Sequence, residues 1–384
     1  DMRVLLLAGA FVAVSTLAEA QALRTLPRVE VEHAEPFTRV AGVRELRDGR
    51  VIVLDAQDQS IHLVNLAAGT ATPIGRQGDG PGEFRLPLRI FGMAGDTSVV
   101  YDMVRPYSML VITPDGKPSG ARSIEGAEGG LVTRVNVDAA DGMGRLYGKA
   151  NIGRTTGDSV EIVRLNSRNG RWEAVAKVCN KAVSELRPDW GCGRGMAPVS
   201  AGPVRMSGGP VPFATGDQWA VALDGRIALV AANPYRVTMI SSDGTRRVGP
   251  ILSVAPVRLT EEHKQAYLHK LRQPVATIAS TRDGQTTTSY RTMPVQEPTE
   301  WPSRLPAFLQ DAARFASDGT LWVQRTTADA SAPPTYDLIG PAGTVTSRLV
   351  LPARTRLVGF GAGTIYLVRI DADDLEYLQR YRMP

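Results

Sequence analysis

Ile74-Gly75-Arg76-Gln77-Gly78-Asp79-Gly80-Pro81-Gly82-Glu83-Phe84 lies between two strand-like runs and opens a unit whose parts recur along the chain. After it, Phe84 and Pro87 lead into Ser98-Val99-Val100-Tyr101-Asp102, then Met109-Leu110-Val111-Ile112, then the turn Asp115-Gly116. A Gly-rich loop, two short β-branched runs and an Asp-Gly turn predict antiparallel strands joined by tight turns, because Gly takes positive φ at little cost. The loop is also Gly-rich enough to be tested as a phosphate cradle. A phosphate loop needs a Lys-Ser/Thr pair opening a helix. Here Glu83-Phe84-Arg85 leads to Pro87 and further strand, and Asp79 and Glu83 would repel phosphate. Gly78, Gly80, Pro81, Gly82, Glu83 and Phe84 are therefore read as a structural crossover anchored by Phe84.

Working outward, a turn followed by a strand recurs at Asp48-Gly49, Gly95-Asp96, Asp141-Gly142, Asp224-Gly225, Asp318-Gly319 and Gly361-Ala362-Gly363. The starts at 48, 96 and 141 are 48 and 45 residues apart, and those at 318 and 361 are 43 apart. A four-stranded propeller blade takes about 40–50 residues. Second turns at Gly69, Asp115-Gly116, Asn169-Gly170, Asp243-Gly244 and Ala342-Gly343 would join the outer strands of each blade. The expected fold is all-β: a six-bladed β-propeller of four-stranded antiparallel blades over residues 21–384. Insertions are expected near 178–210 and 252–304. The second should begin with a short helix that Thr260 caps, Glu261 and Glu262 suit electrostatically, and Pro274 stops. Residues Val29 to Val31 are expected to pair with the last blade and close the ring.

The order of the repeat, Gly-rich turn, Gly-x-Phe, Pro, a strand ending in Asp, a second strand and Asp-Gly, resembles the NHL-type repeat of six-bladed propellers. The Arg76–Phe84 motif is similar to that of secreted bacterial propellers. So is the tail from Trp301-Pro302-Ser303-Arg304-Leu305-Pro306-Ala307 through Asp371-Ala372-Asp373-Asp374-Leu375-Glu376-Tyr377. That resemblance implies a scaffold and carries no catalytic residues.

Residues 1–20 read as a secretory signal: Arg3, the apolar run Val4 to Leu17, then Ala18-Glu19-Ala20. The run, roughly fifteen residues, is short of the ~20 that cross a membrane; a retained anchor is the alternative. A secreted or periplasmic location makes Cys179 and Cys192 a disulfide pair, stabilising by about 3 kcal/mol in the chain-entropy account. A metal site would want two further soft ligands nearby. The net charge is +5 and basic residues are scattered, with Arg246-Arg247 the longest run. No stripe for nucleic acid exists. A membrane contact is expected only if the N-terminal segment is retained.

Chemistry is sparse. The chain has four histidines, and His263 and His269, six apart on the expected helix, stand roughly 240° apart round its axis. No nucleophile elbow or zincin signature occurs. No catalytic residue, metal or cofactor is assigned. Asp55, Asp102, Arg105 and Arg325 follow the first strong strand of their blades and are candidates for the rim of the central funnel. Asp55 and Asp102 occupy equivalent places, which points to a repeated structural role; the resemblance to NHL-type repeats implies that this Asp braces the turn by accepting backbone N–H bonds rather than binding metal. Trp219, Trp322 and Tyr366 are read as wedges between blades. The function expected first is a non-enzymatic binding scaffold for a protein or envelope polymer. A metal-dependent funnel-site hydrolase or lyase, and an accessory subunit held by an uncleaved N-terminal helix, are the alternatives.

Overall fold

A computed structural model describes residues 23–103, 108–124, 135–150, 159–166, 170–179, 211–272, 275–278, 288–291 and 297–384. Blade 1 comprises Val40–Glu45, Val51–Asp55, Ser60–Asn65 and Thr70–Pro73, hydrogen-bonded in that order and antiparallel throughout. Blade 2 repeats the pattern with Pro87–Gly92, Ser98–Asp102, Ser108–Ile112 and Pro118–Ser123. Blade 3 is Val135–Ala140, Leu146–Ala150, Ser159–Leu165 and Trp172–Cys179; blade 4 is Gln218–Val221, Ile227–Ala232, Tyr235–Ile240 and Arg246–Ile251. Blade 5 is Ala313–Phe315, Leu321–Gln324, Thr335–Ile339 and Val345–Val350. Blade 6 takes Thr355–Phe360, Thr364–Ile370 and Glu376–Arg382 from the C-terminal end of the chain, with Val31–Glu32 as its fourth strand. The fold is a six-bladed β-propeller with a single α-helix, Glu261–Arg272, among the described residues.

The turns follow the sequence. Gly225 sits at φ 84° between the first two strands of blade 4, and Asp224 accepts the Arg226 N–H at 3.0 Å. Asp48 and Asp318 repeat that bond with Arg50 and Thr320. Thr260 caps the helix by accepting the His263 N–H at 3.3 Å. The Arg76–Phe84 loop is wound round Glu83, which accepts from the Gly80 N–H at 2.7 Å and pairs with Arg76 at 2.6 Å. A Cβ at Gly78 would stand 1.9 Å from the Glu83 carboxylate, so only glycine admits this approach. Phe84 is buried with Leu46, Ile52 and Val100 between blades 1 and 2.

The core is divided into wedges. Separate buried clusters lie between blades 1 and 2, 2 and 3, 3 and 4, 4 and 5, 5 and 6, and 6 and 1. Each second strand is therefore covered on both faces: Val51–Asp55 and Ser98–Asp102 are buried at every position. Such strands read as continuous apolar runs rather than alternating ones. The innermost strands border the open channel instead and are only half-buried, as in Pro87–Gly92 and Ala313–Phe315. Trp322 and Tyr366 are buried between blades 5 and 6 and blades 6 and 1, while Trp219 is half-buried, packed against the wedge between blades 3 and 4 and bordering the channel. Cys179 ends the outer strand of blade 3. Cys192, residues 1–20 and Arg105 lie outside the described residues.

The ring closes one residue further on than the sequence suggested. Val31 pairs with Arg380 and Glu32 with Gln379, and Phe37 and Glu376 exchange backbone hydrogen bonds at 2.8 Å. Leu23–Thr25 adds an unforeseen fifth strand, parallel to Val345–Val350 of blade 5. The closing segment is pinned by carboxylates. Glu30 pairs with Arg380 at 3.2 Å and with Arg382, and Glu32 pairs with Arg369 at 2.8 Å and accepts from Gln379 at 2.6 Å. Bonding to Arg382 and to Arg369, respectively, holds both carboxyls below the usual value of 4.5. Close by, burial lowers the pKa of His62 from 6.5, against the upward pull of Asp55 and Asp58. All three groups have folded values below their unfolded ones, so each stabilises at higher pH and loses that contribution as acid is added. The melting temperature should start to fall as pH drops below 6.5 and fall again below 4.5. His62→Gln should remove the upper part of the decline. A melting temperature flat from pH 7 to 5 in the unmodified protein would contradict the His62 contribution.

Candidate functional site

Asp55 and Asp102, the two carboxylates singled out in the sequence, are buried and spend their oxygens on backbone. Asp55 accepts the N–H groups of Thr38 at 2.7 Å and of Arg39, Gln57 and Asp58 at 3.1 Å. Asp102 accepts those of Arg85 at 2.6 Å and Leu86 at 3.1 Å. Each ties the segment entering its blade to the end of the second strand, which is the strong strand of the sequence reading. Arg325 follows the second strand of blade 5 and reaches Asp337 at 3.7 Å. Of these three, none lines the channel, and the structure does not bring them together.

The channel itself is a cavity of about 670 Å³ walled by the innermost strands of all six blades. Those strands are paired on one side only, so their free edges turn N–H and C=O groups to the cavity. Its charge is confined to one arc. Arg89 of blade 2, Asp138 and Lys149 of blade 3, and Asp311 and Arg314 of blade 5 line it, whereas blade 1 contributes Ala41, Gly42 and Val43 and blade 6 only Val358. Arg89 pairs with Asp138 at 3.1 Å. Burial pushes the Asp138 carboxyl up, Arg89 and Lys149 pull it down, and the Asp311 charge adds to the push.

Arg314 is set differently. It occupies the middle of the innermost strand of blade 5, opposite Trp322 in register. Burial lowers its pKa; Tyr336 and Asp311 oppose that, while the neighbouring guanidiniums of Arg356 and Arg89 add to it. Among the described residues it makes no ion pair or hydrogen bond, though a guanidinium stays charged at any ordinary pH. Arg356 beside it is occupied, held at 2.7 Å by both oxygens of Glu376. Tyr336, with its pKa pushed up to about 12 by burial, donates to Gln324.

One bridge shapes the rim. Gln218 of blade 4 donates to Gln310 at 2.9 Å and to Gly216 O at 2.8 Å, and its oxygen accepts the Asp311 N–H at 2.9 Å. Asp311 is thereby held at φ 60°, a left-handed conformation uncommon outside glycine. Sequence reasoning passed over Arg89, Asp138, Lys149 and Arg314. The available signal was a charge in the middle of a short strand just ahead of an Asp-Gly or Gly-Asp turn, as in Pro87-Leu88-Arg89-Ile90 and Ala313-Arg314-Phe315.

Among the described residues no three His, Cys, Asp or Glu side chains gather as a metal centre requires. No helix of the described residues is long and apolar enough to cross a membrane.

Comparison with protein-family models and with curated proteins gives no match. Among solved structures the chain is similar to regucalcin, a calcium-binding protein of Agrobacterium tumefaciens, at 10% identity over 94% of this chain and 97% of that one, with a TM-score of 0.43. It is similar also to virginiamycin B lyase of Staphylococcus aureus, at 9% identity over 92% of this chain and 87% of that one, TM-score 0.38. A protein of Bacteroides fragilis described as a candidate exported protein gives 10% identity over 93% and 94%, TM-score 0.46. At these values the likenesses say nothing of the chemistry of this channel, and the six-bladed assignment rests on the strand pairing.

Proposed function

We propose that this chain is a secreted or periplasmic binding propeller that holds a small molecule in its central channel. One observation carries the reading: a cavity of about 670 Å³ lined by charged residues from three blades, with the half-buried Phe91, Trp219 and Phe315 at its border. Pockets of roughly 300–1,000 Å³ in which a few polar groups converge are the usual size and form of a ligand site, and this one has a wall more polar than apolar. The insertions near 178–210 and 252–304 are the surfaces the same reading offers to a protein or envelope polymer. The location rests on residues 1–20, and the Cys179–Cys192 disulfide that it implies is checked by peptide mapping without reductant.

Gly42→Leu tests the channel. A Cβ at Gly42 meets nothing nearer than Ile90 Cγ2 at 4.0 Å, so the larger residue is accommodated in the strand while narrowing the cavity. Native mass spectrometry of protein from its own host should find a small molecule bound to the unmodified chain and lost from Gly42→Leu. A molecule retained by the variant, or a tight protein partner and no small molecule, would contradict the reading.

A second reading, a lyase or hydrolase working in the same channel, is favoured by Asp138, a carboxyl held toward its protonated form by burial beside Arg89. Such groups are candidates for general acid–base work. On that reading Asp138→Asn keeps the bound molecule and abolishes its turnover; equal turnover in the variant would remove Asp138 from it.

A further inference from the structure

The channel's asymmetry specifies the kind of molecule it takes. Three cations, Arg89, Lys149 and Arg314, face two carboxylates, Asp138 and Asp311, in the lining. Arg89 and Asp138 are committed to each other at 3.1 Å. Arg314 and Lys149 make no ion pair or hydrogen bond among the described residues. A half-buried guanidinium with no hydrogen-bonded counterion keeps an unmet demand for an anion; the Arg356 and Arg89 charges add repulsion, and that of Asp311 offsets part of it. A carboxylate or phosphate meets that demand, because a guanidinium offers a fork of parallel N–H donors that fits two oxygens at once. The other arc is uncharged: blade 1 and blade 6 add Ala41, Gly42, Val43 and Val358. Phe91, Trp219 and Phe315 border the channel half-buried, packed in part against the wedges between blades. A bare inorganic anion would leave this border uncovered.

We infer that the channel binds an amphipathic organic anion, with its acidic group on Arg314 and Lys149 and its apolar body against Phe91, Trp219 and Phe315. This rests on the channel being the binding site, and the test separates the two claims.

The probes are naphthalene-2-carboxylate, phenylacetate and benzoate, each beside its neutral carboxamide, titrated calorimetrically into the full chain. The acid should bind more tightly than its amide, and the preference should grow in low salt. Hydrogen bonds to charged groups are strong enough that Arg314→Gln should weaken the acid by roughly 10–100-fold and leave the amide unchanged. Arg314→Lys should recover part of the loss, which a merely structural defect would not. Equal binding of acid and amide, with both lost in Gly42→Leu, overturns the anionic specificity and leaves the channel reading standing. Binding of both that Gly42→Leu does not weaken overturns the channel reading itself. Failure of every acid in the series to bind at millimolar concentration overturns the inference. A melting curve of Arg314→Gln that coincides with the unmodified protein's certifies the variant; if it does not fold, Lys149→Gln carries the same comparison.

Discussion

Replacing Glu376 by Ala should lower the unfolding free energy by about 3–5 kcal/mol, the range observed when one partner of a buried charge pair is removed. Glu376 is 1% exposed and joins the two ends of the ring. Its carboxylate takes the Val40 N–H of blade 1 at 2.7 Å, the Arg356 guanidinium of blade 6 at 2.7 Å, and Arg39 at 3.3 Å. Its backbone exchanges hydrogen bonds with Phe37 in the segment that leads into blade 1. Truncation leaves Arg356 half-buried without a counterion and the Val40 N–H without an acceptor at the seam of the propeller. Glu376→Gln keeps the acceptor for Val40 and should cost less. The shift in urea midpoint at constant slope measures both. A loss below about 1 kcal/mol for the alanine variant, the level of an exposed pair, would mean that ring closure does not depend on this carboxylate.

Asp337→Ala is the second large effect expected, again about 3–5 kcal/mol. Asp337 is 1% exposed in the third strand of blade 5. It accepts from Arg348 Nε at 3.0 Å and from the Tyr235 hydroxyl of blade 4 at 3.3 Å, and lies 3.7 Å from Arg325. Burial drives the Tyr235 pKa far up, so the phenol remains a donor, and the Asp337 charge adds to that effect. Arg325, with a side chain only 13% exposed, is left inside the wedge when the carboxylate goes. Much of the loss is therefore the cost of a stranded cation, and removing the cation too should recover it. Arg325→Met added to Asp337→Ala should be more stable than Asp337→Ala alone. Losses that simply add would show that Arg325 and Asp337 do not act together.

The residues most legible in the sequence were those buried on both faces. Val51-Ile52-Val53-Leu54-Asp55 and Ser98-Val99-Val100-Tyr101-Asp102 stood out because each lies between two apolar wedges. The turns were legible because Asp accepts a backbone N–H two residues on and Gly takes the positive φ. Thr260 and the acidic first turn marked the helix for the same local reason. The candidate site was hidden because it sits on strands with no such constraint. Val135-Asn136-Val137-Asp138-Ala139-Ala140 and Ala313-Arg314-Phe315 border a channel, so a charge in mid-strand breaks no packing rule and leaves no periodic signature. Leu23-Arg24-Thr25 was illegible for a related reason: all three residues are exposed, and backbone pairing with blade 5 alone places them.

The most direct test is a crystal structure of the protein as isolated from its own host, refined to a resolution at which a small molecule in the channel is distinguishable from solvent. The account predicts such a molecule between the six innermost strands, with an acidic group against Arg314 and its body against Phe91 and Trp219. A channel holding only solvent, in protein whose bound molecule sits on the outer loops, would contradict it.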